Sequence, residues 1–115
     1  MSDWQDKSKF EINKAVAEID PRFESCIDVE FFANDDNGQA VDVASQGVFI
    51  CTVDYCSNPS YAWSIILESK ISLNWTGGYW CVTSPFSGVH FSIKVDSDAD
   101  VFKAAMIVYL EMNNA

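Results

Sequence analysis

The sequence predicts an α+β fold, in which three helices pack on an antiparallel sheet of four to five strands in a sandwich-like arrangement. Three observations carry that prediction. Apolar residues recur with helical spacing near the start, middle and end of the chain, each time behind a capping signal. Between these segments lie short runs that alternate with period two, and clusters of Asn-Gly, Gly-Gly and Pro with Gly fall where the runs meet. The 115 residues show no repeat and no linker, so residues 1–115 form a single domain with one core.

The first helix starts at Ser8-Lys9-Phe10-Glu11, a capping box in which Ser8 bonds the amide of Glu11 and Glu11 reaches back to Ser8. Ile12, Ala15, Val16 and Ile19 follow on one face, and Asp20-Pro21 ends the helix because the residue before proline is pushed out of the helical region. Residues 26–31 read as a half-buried strand, with Ile27, Val29 and Phe31 inward and Cys26, Asp28 and Glu30 outward. Asn34-Asp35-Asp36-Asn37-Gly38 is a turn cluster, and residues 39–46 are weakly patterned. Residues 48–53, β-branched and aromatic, form the next strand and run into the middle helix.

That helix begins at Asn58, whose side chain caps it, with Pro59 at the first helical position, where no donor is missed. Ala62, Ile65, Ile66 and Ser69 share its apolar side. Three strands follow as a meander: Ile71, Leu73 and Trp75 alternate, Thr76-Gly77-Gly78 makes a tight hairpin, residues 79–83 return, and residues 89–95 alternate after the turn at Pro85, Ser87 and Gly88. Ser97 opens the last helix, with Asp98 and Asp100 where the helix dipole favours negative charge. Its apolar set, Val101, Phe102, Ala105, Met106, Val108, Tyr109 and Met112, covers so much of the circumference that this helix is expected at the centre of the fold.

Composition narrows the function. Hydrophobic residues make up 49% and aromatic residues 14%, which excludes disorder. The formal net charge of −10 argues against direct nucleic-acid binding, which draws its affinity from Lys and Arg. No apolar run approaches the length needed to cross a bilayer, and the first residues lack the basic and apolar regions of a signal peptide, so the expected location is the cytoplasm, without membrane attachment. Cys26, Cys51, Cys56 and Cys81 form no CxxC pair and have one histidine, His90, for company; the expectation is four buried thiols, no metal and no cofactor.

Two stretches and the tail carry a family resemblance. Asp54-Tyr55-Cys56-Ser57-Asn58-Pro59-Ser60-Tyr61-Ala62-Trp63-Ser64-Ile65-Ile66 followed by Ile71-Ser72-Leu73, and Lys103-Ala104-Ala105-Met106-Ile107-Val108-Tyr109-Leu110, resemble the NinX-like family of small phage and prophage proteins. The helix Ile12-Asn13-Lys14-Ala15-Val16-Ala17-Glu18 is similar to its opening. The chain departs from the family pattern at Ser64, where a proline is usual, at residues 99–103, and in the longer acidic connection from Asp28 to Asp42. The resemblance implies a phage-encoded protein of the bacterial host cytoplasm, from a family without an established activity found among accessory genes dispensable for building the virion, with a looser likeness to phage domains described as an α-β-α sandwich.

No nucleophile, base and orienting group fall at a recognisable spacing, so no enzyme activity is expected. His90, alone in a regular strand, reads as structural. The carboxylates concentrate before the middle helix, and Asp28, Glu30, Asp35 and Asp36 are the candidates for binding a host defence protein by charge complementarity, beside the plainer reading of a solubilising face. The alternative is a pocket for a small nucleotide signal at the middle helix start, built from Tyr55, Asn58, Trp63 and Lys103, with capping as the plain reading of Asn58. Trp75 and Trp80 are expected in the core, and the oligomeric state stays open.

Overall fold

In the computed structural model, which describes residues 3–85 and 91–114, each expected helix forms behind the cap the sequence supplies. Helix α1 spans Lys9–Ile19; the Glu11 amide donates to Ser8 Oγ at 3.1 Å and the Ser8 amide to the Glu11 carboxylate at 3.4 Å. Helix α2 spans Pro59–Ser69, with the Ser60 amide donating to Asn58 Oδ1 at 3.0 Å. Its buried face is Ala62, Ile65 and Ile66. Helix α3 spans Val101–Asn114 and follows a 3-10 turn, Asp98–Asp100, that Ser97 caps through the Ala99 amide. Ala104, Ala105, Met106, Ile107, Val108, Tyr109 and Leu110 are all buried, so α3 is covered on every side and is the centre of the fold.

Helix α2 ends with Lys70 in the left-handed region at φ 58° and ψ 33°. A side chain there crowds the following carbonyl, whereas glycine does not. Lys70→Gly should raise stability by about 1 kcal/mol; a urea midpoint that stays put or falls at unchanged slope would contradict the strain argument.

The strands do not form the one sheet expected from the sequence. β1 (Val29–Ala33), β2 (Val41–Ser45) and β3 (Val48–Val53) make one antiparallel sheet in the order β1-β2-β3. β4 (Ser72–Trp75), β5 (Trp80–Thr83) and β6 (Ser92–Val95) make a second, the expected meander. Helix α1 packs on β1 and β2, α3 packs on β5 and β6, and α1 and α2 both pack on α3. Helices α1 and α3 therefore lie between the sheets, with α2 packed on α3, unlike the α-β-α order that the looser likeness implied. The reason lies in α3: a helix apolar all round needs cover on opposite sides, and one sheet can supply only one of them.

Register assigns the faces. Phe31, Val43 and Cys51 stand in one row on the inner face of the first sheet, while the row Phe32, Asp42 and Thr52 and the pair Glu30 and Ala44 face away from the helices. The first strand begins later than residues 26–31 because Asp28, at φ 49°, breaks the extended run, and this leaves Ile27 exposed rather than inward. The weakly patterned stretch 39–46 holds β2, whose Val41 and Val43 are fully buried. In the second sheet Leu73, Val82 and Ile93 form the inner row, and Ser72, Asn74, Cys81, Thr83, Ser92 and Lys94 the outer rows.

Two expectations about side chains change here. Trp75 is 51% exposed and Trp80 half-buried; their ring centroids lie 5.4 Å apart, so they pack on one another more than in the core. Trp80 Nε1 donates to Asp98 of the 3-10 turn at 2.6 Å, which holds this end of the sheet to the start of α3. Of the four free cysteines Cys56 alone is buried; Cys26, Cys51 and Cys81 are intermediate. Val89 and His90, expected in the last strand, lie outside the described residues.

Candidate functional site

The strand-to-helix junction is filled from within. Asn13 of α1 is fully buried: its Nδ2 donates to the Gln39 carbonyl at 2.8 Å and to Asp54 Oδ1 at 2.9 Å, and its Oδ1 accepts the Cys56 amide at 2.9 Å. Tyr55 is fully buried too, and its hydroxyl donates to Asp20 Oδ2 at 2.6 Å. The same carboxylate receives Arg22 Nε at 3.1 Å and Nη2 at 2.9 Å, and the Arg22 amide reaches Oδ1 at 3.0 Å. The guanidinium lies over the rings of Phe23 and Tyr61. Burial works to raise the Asp20 carboxyl, but the hydrogen bonds from Arg22 and Tyr55 and the Arg22 charge outweigh it and hold the group below its ordinary value. Burial pushes the Cys56 thiol up to about 12, with the Asp54 charge adding, so it carries no thiolate chemistry at neutral pH.

This clasp disassembles the ligand pocket read from the sequence. Tyr55 offers no accessible atom, and Asn58 uses its side-chain oxygen on the α2 cap. Trp63 is 48% exposed on the outer side of α2. Lys103 lines a separate groove of about 130 Å³ with Gln5, Lys94, Val95 and Asp100, where the Asp100 carboxylate already offsets part of the positive charge. Among the described residues no three metal-ligating side chains converge.

The acidic candidates, in contrast, share one edge. β1 is the outer strand of its sheet; Asp28 stands at its foot, Glu30 on its outward face, and Asp35 and Asp36 in the turn that follows, all exposed. Asn34 fixes that turn: its Oδ1 accepts the amides of Asp36 at 3.0 Å and Asn37 at 2.9 Å, and its Nδ2 donates to Asp42 at 2.8 Å. Hydrogen bonds from Asn34 and Thr52 keep the Asp42 carboxyl below its ordinary value and hence charged. The ion pairs among the described residues are Lys7 with Glu11 and Arg22 with Asp20, so none of the four candidate carboxylates has a cation partner.

Phe32 completes the edge. It is 50% exposed, next but one to Glu30 on the same face and directly across from Asp42. Neither Phe32 nor Asp42 was among the sequence candidates, although a signal existed. In Phe31-Phe32 the two rings must point to opposite faces of a strand, so one of them is left to solvent unless a layer covers it.

A family model described as Bacteriophage P22, NinX matches residues 3–113, nearly the whole described chain. The chain belongs to the NinX family. The matched range includes β1, its turn and β2. No curated protein and no solved structure matches the chain. Among the described residues no helix is long and apolar enough to cross a membrane.

Proposed function

We propose that this NinX-family protein acts by binding: it occupies a basic, nucleic-acid-binding face of a host defence protein through the β1 edge. The observation that carries the reading is Phe32, an exposed aromatic side chain with Glu30 and Asp42 beside it and Asp28, Asp35 and Asp36 along the same edge. An apolar anchor inside a charged rim is the arrangement of an interface hot spot, where the anchor holds the complex and the charges select and steer the partner. Unpaired carboxylates on an edge strand find their complement in lysines and arginines, the groups with which a partner would hold nucleic acid. Membership of a phage family supports a host protein as the target.

The test is affinity capture from infected cells followed by competition. Wild-type protein should retain a basic host protein and displace nucleic acid from it, less well as salt rises. Reversal of Asp28, Glu30, Asp35 and Asp36 to Lys should abolish capture, and Phe32→Ala should weaken it at least about tenfold. Capture unchanged by the four reversals would remove the proposal.

A further inference from the structure

We propose that a second copy of this chain pairs with the free edge of β3, joining two three-stranded sheets into one six-stranded antiparallel sheet across a two-fold axis. β3 is the edge opposite β1, and Val48, Phe49 and Ile50 are 68%, 61% and 43% exposed. Three consecutive apolar residues stay in water because a bulge at Ile50 shifts the pairing with β2 there, where a regular strand would turn one of them inward. Edge strands are ordinarily guarded by charge, proline or brevity. β3 is six residues long and carries neither charge nor proline.

Charge decides the occupant. Residues 43–53 contain no charged side chain in a protein whose net charge is −10. Two copies meeting at β3 bring uncharged strand against uncharged strand, so this edge lets them approach with little repulsion. Self-pairing at β1 would oppose Asp28 and Glu30 with their own copies, whereas the remaining edges are β4, whose Ser72 and Asn74 alternate with apolar residues, and β6, which bears Lys94. A charged partner protein finds no complement on β3. An antiparallel strand pair is also two-fold symmetric by construction, which matches the isologous contact of a closed dimer. The acidic β1 edges would then stand at the two outer ends of the joined sheet and stay open.

Sedimentation equilibrium of the full chain tests this, read with hydrogen exchange. The expected mass is twice 12.9 kDa, with association strengthening as added salt screens the residual repulsion between acidic copies. Phe49→Lys and Val48→Lys, both at exposed positions, should each weaken the dimer at least about tenfold with unchanged circular dichroism, and β3 amides should lose protection in Phe49→Lys while β2 amides keep it. A wild-type chain that stays at the monomer mass at every salt concentration overturns the proposal, as does a dimer that survives both variants. The dimer and the host-binding reading fail separately: reversal of the four β1-edge carboxylates should leave the dimer intact, Phe49→Lys should leave host capture intact, and salt moves the two in opposite directions.

Discussion

Replacing Asn13 with alanine should lower unfolding free energy by about 2–4 kcal/mol. The side chain is fully buried and every polar atom is used: two hydrogens on Gln39 and Asp54, and the oxygen on the Cys56 amide. Alanine orphans the Cys56 amide in a buried site, where it costs its full desolvation, whereas the Gln39 carbonyl and the Asp54 carboxylate are partly open and can turn to water. It also severs the tie between α1 and the connection from β3 to α2. The melting temperature should fall by roughly 10–20 °C, and Lys14→Ala, one residue on, is the control. A loss below about 1 kcal/mol would mean that water or a rearranged backbone replaces the network.

Asp20→Asn should cost about 2–4 kcal/mol at neutral pH, and its pH dependence separates charge from packing. The carboxyl lies below its ordinary value in the folded chain, because Arg22 and Tyr55 together outweigh burial. A depressed carboxyl contributes stability that is fully present above the unfolded value of about 4 and is lost as pH falls through the folded value. The gap between wild type and Asp20→Asn should therefore be widest near neutrality and narrow below pH ~4. Tyr55 behaves in the opposite sense. Burial, reinforced by the Asp20 hydrogen bond and charge, pushes its phenol far above the ordinary value of 10.0. Its contribution is fully present below the unfolded phenol's value and is lost as pH rises past about 10. The Cys56 thiol does the same from its ordinary 9.0 upward through about 12. Urea unfolding across pH should give a plateau with both limbs falling, and Tyr55→Phe should flatten the alkaline limb. An acid limb identical in wild type and Asp20→Asn would remove Asp20 from the account.

The clasp itself was half legible. Asp20-Pro21 reads as a helix stop, and Asp20 does cap α1 and the turn that follows it, but its second use, binding Tyr55 from 35 residues away, leaves no local trace. Tyr55 reads as a candidate ligand residue because it sits beside a helix N-terminus, and the structure buries it because α1 crosses that place. The acidic edge was legible as a list of carboxylates; that Asp42 joins it depends on Asn34 and Thr52, which reach it across the turn and the neighbouring strand. β2 escaped because its alternation is carried by small side chains and one outward carboxylate, too weak a pattern beside the turn that precedes it.

What the sequence determined by itself are the elements whose causes are local: the capping box at Ser8, Asn58 before Pro59, Ser97 before the last helix, the Gly-Gly hairpin, and the apolar girth of α3. These are contacts within a few residues, so spacing alone encodes them. Tertiary structure decided that the strands divide into two sheets, that α1 and α3 run between them, and which residues of β1 and β3 remain in water. A strand's alternation states that it has two faces, but its pairing partner and the layer above each face are fixed by residues far away in the chain. Here α3, buried on all sides, drew a sheet to one flank and α1 and α2 to the other, and the outer face of the first sheet was left without a layer to cover Phe32.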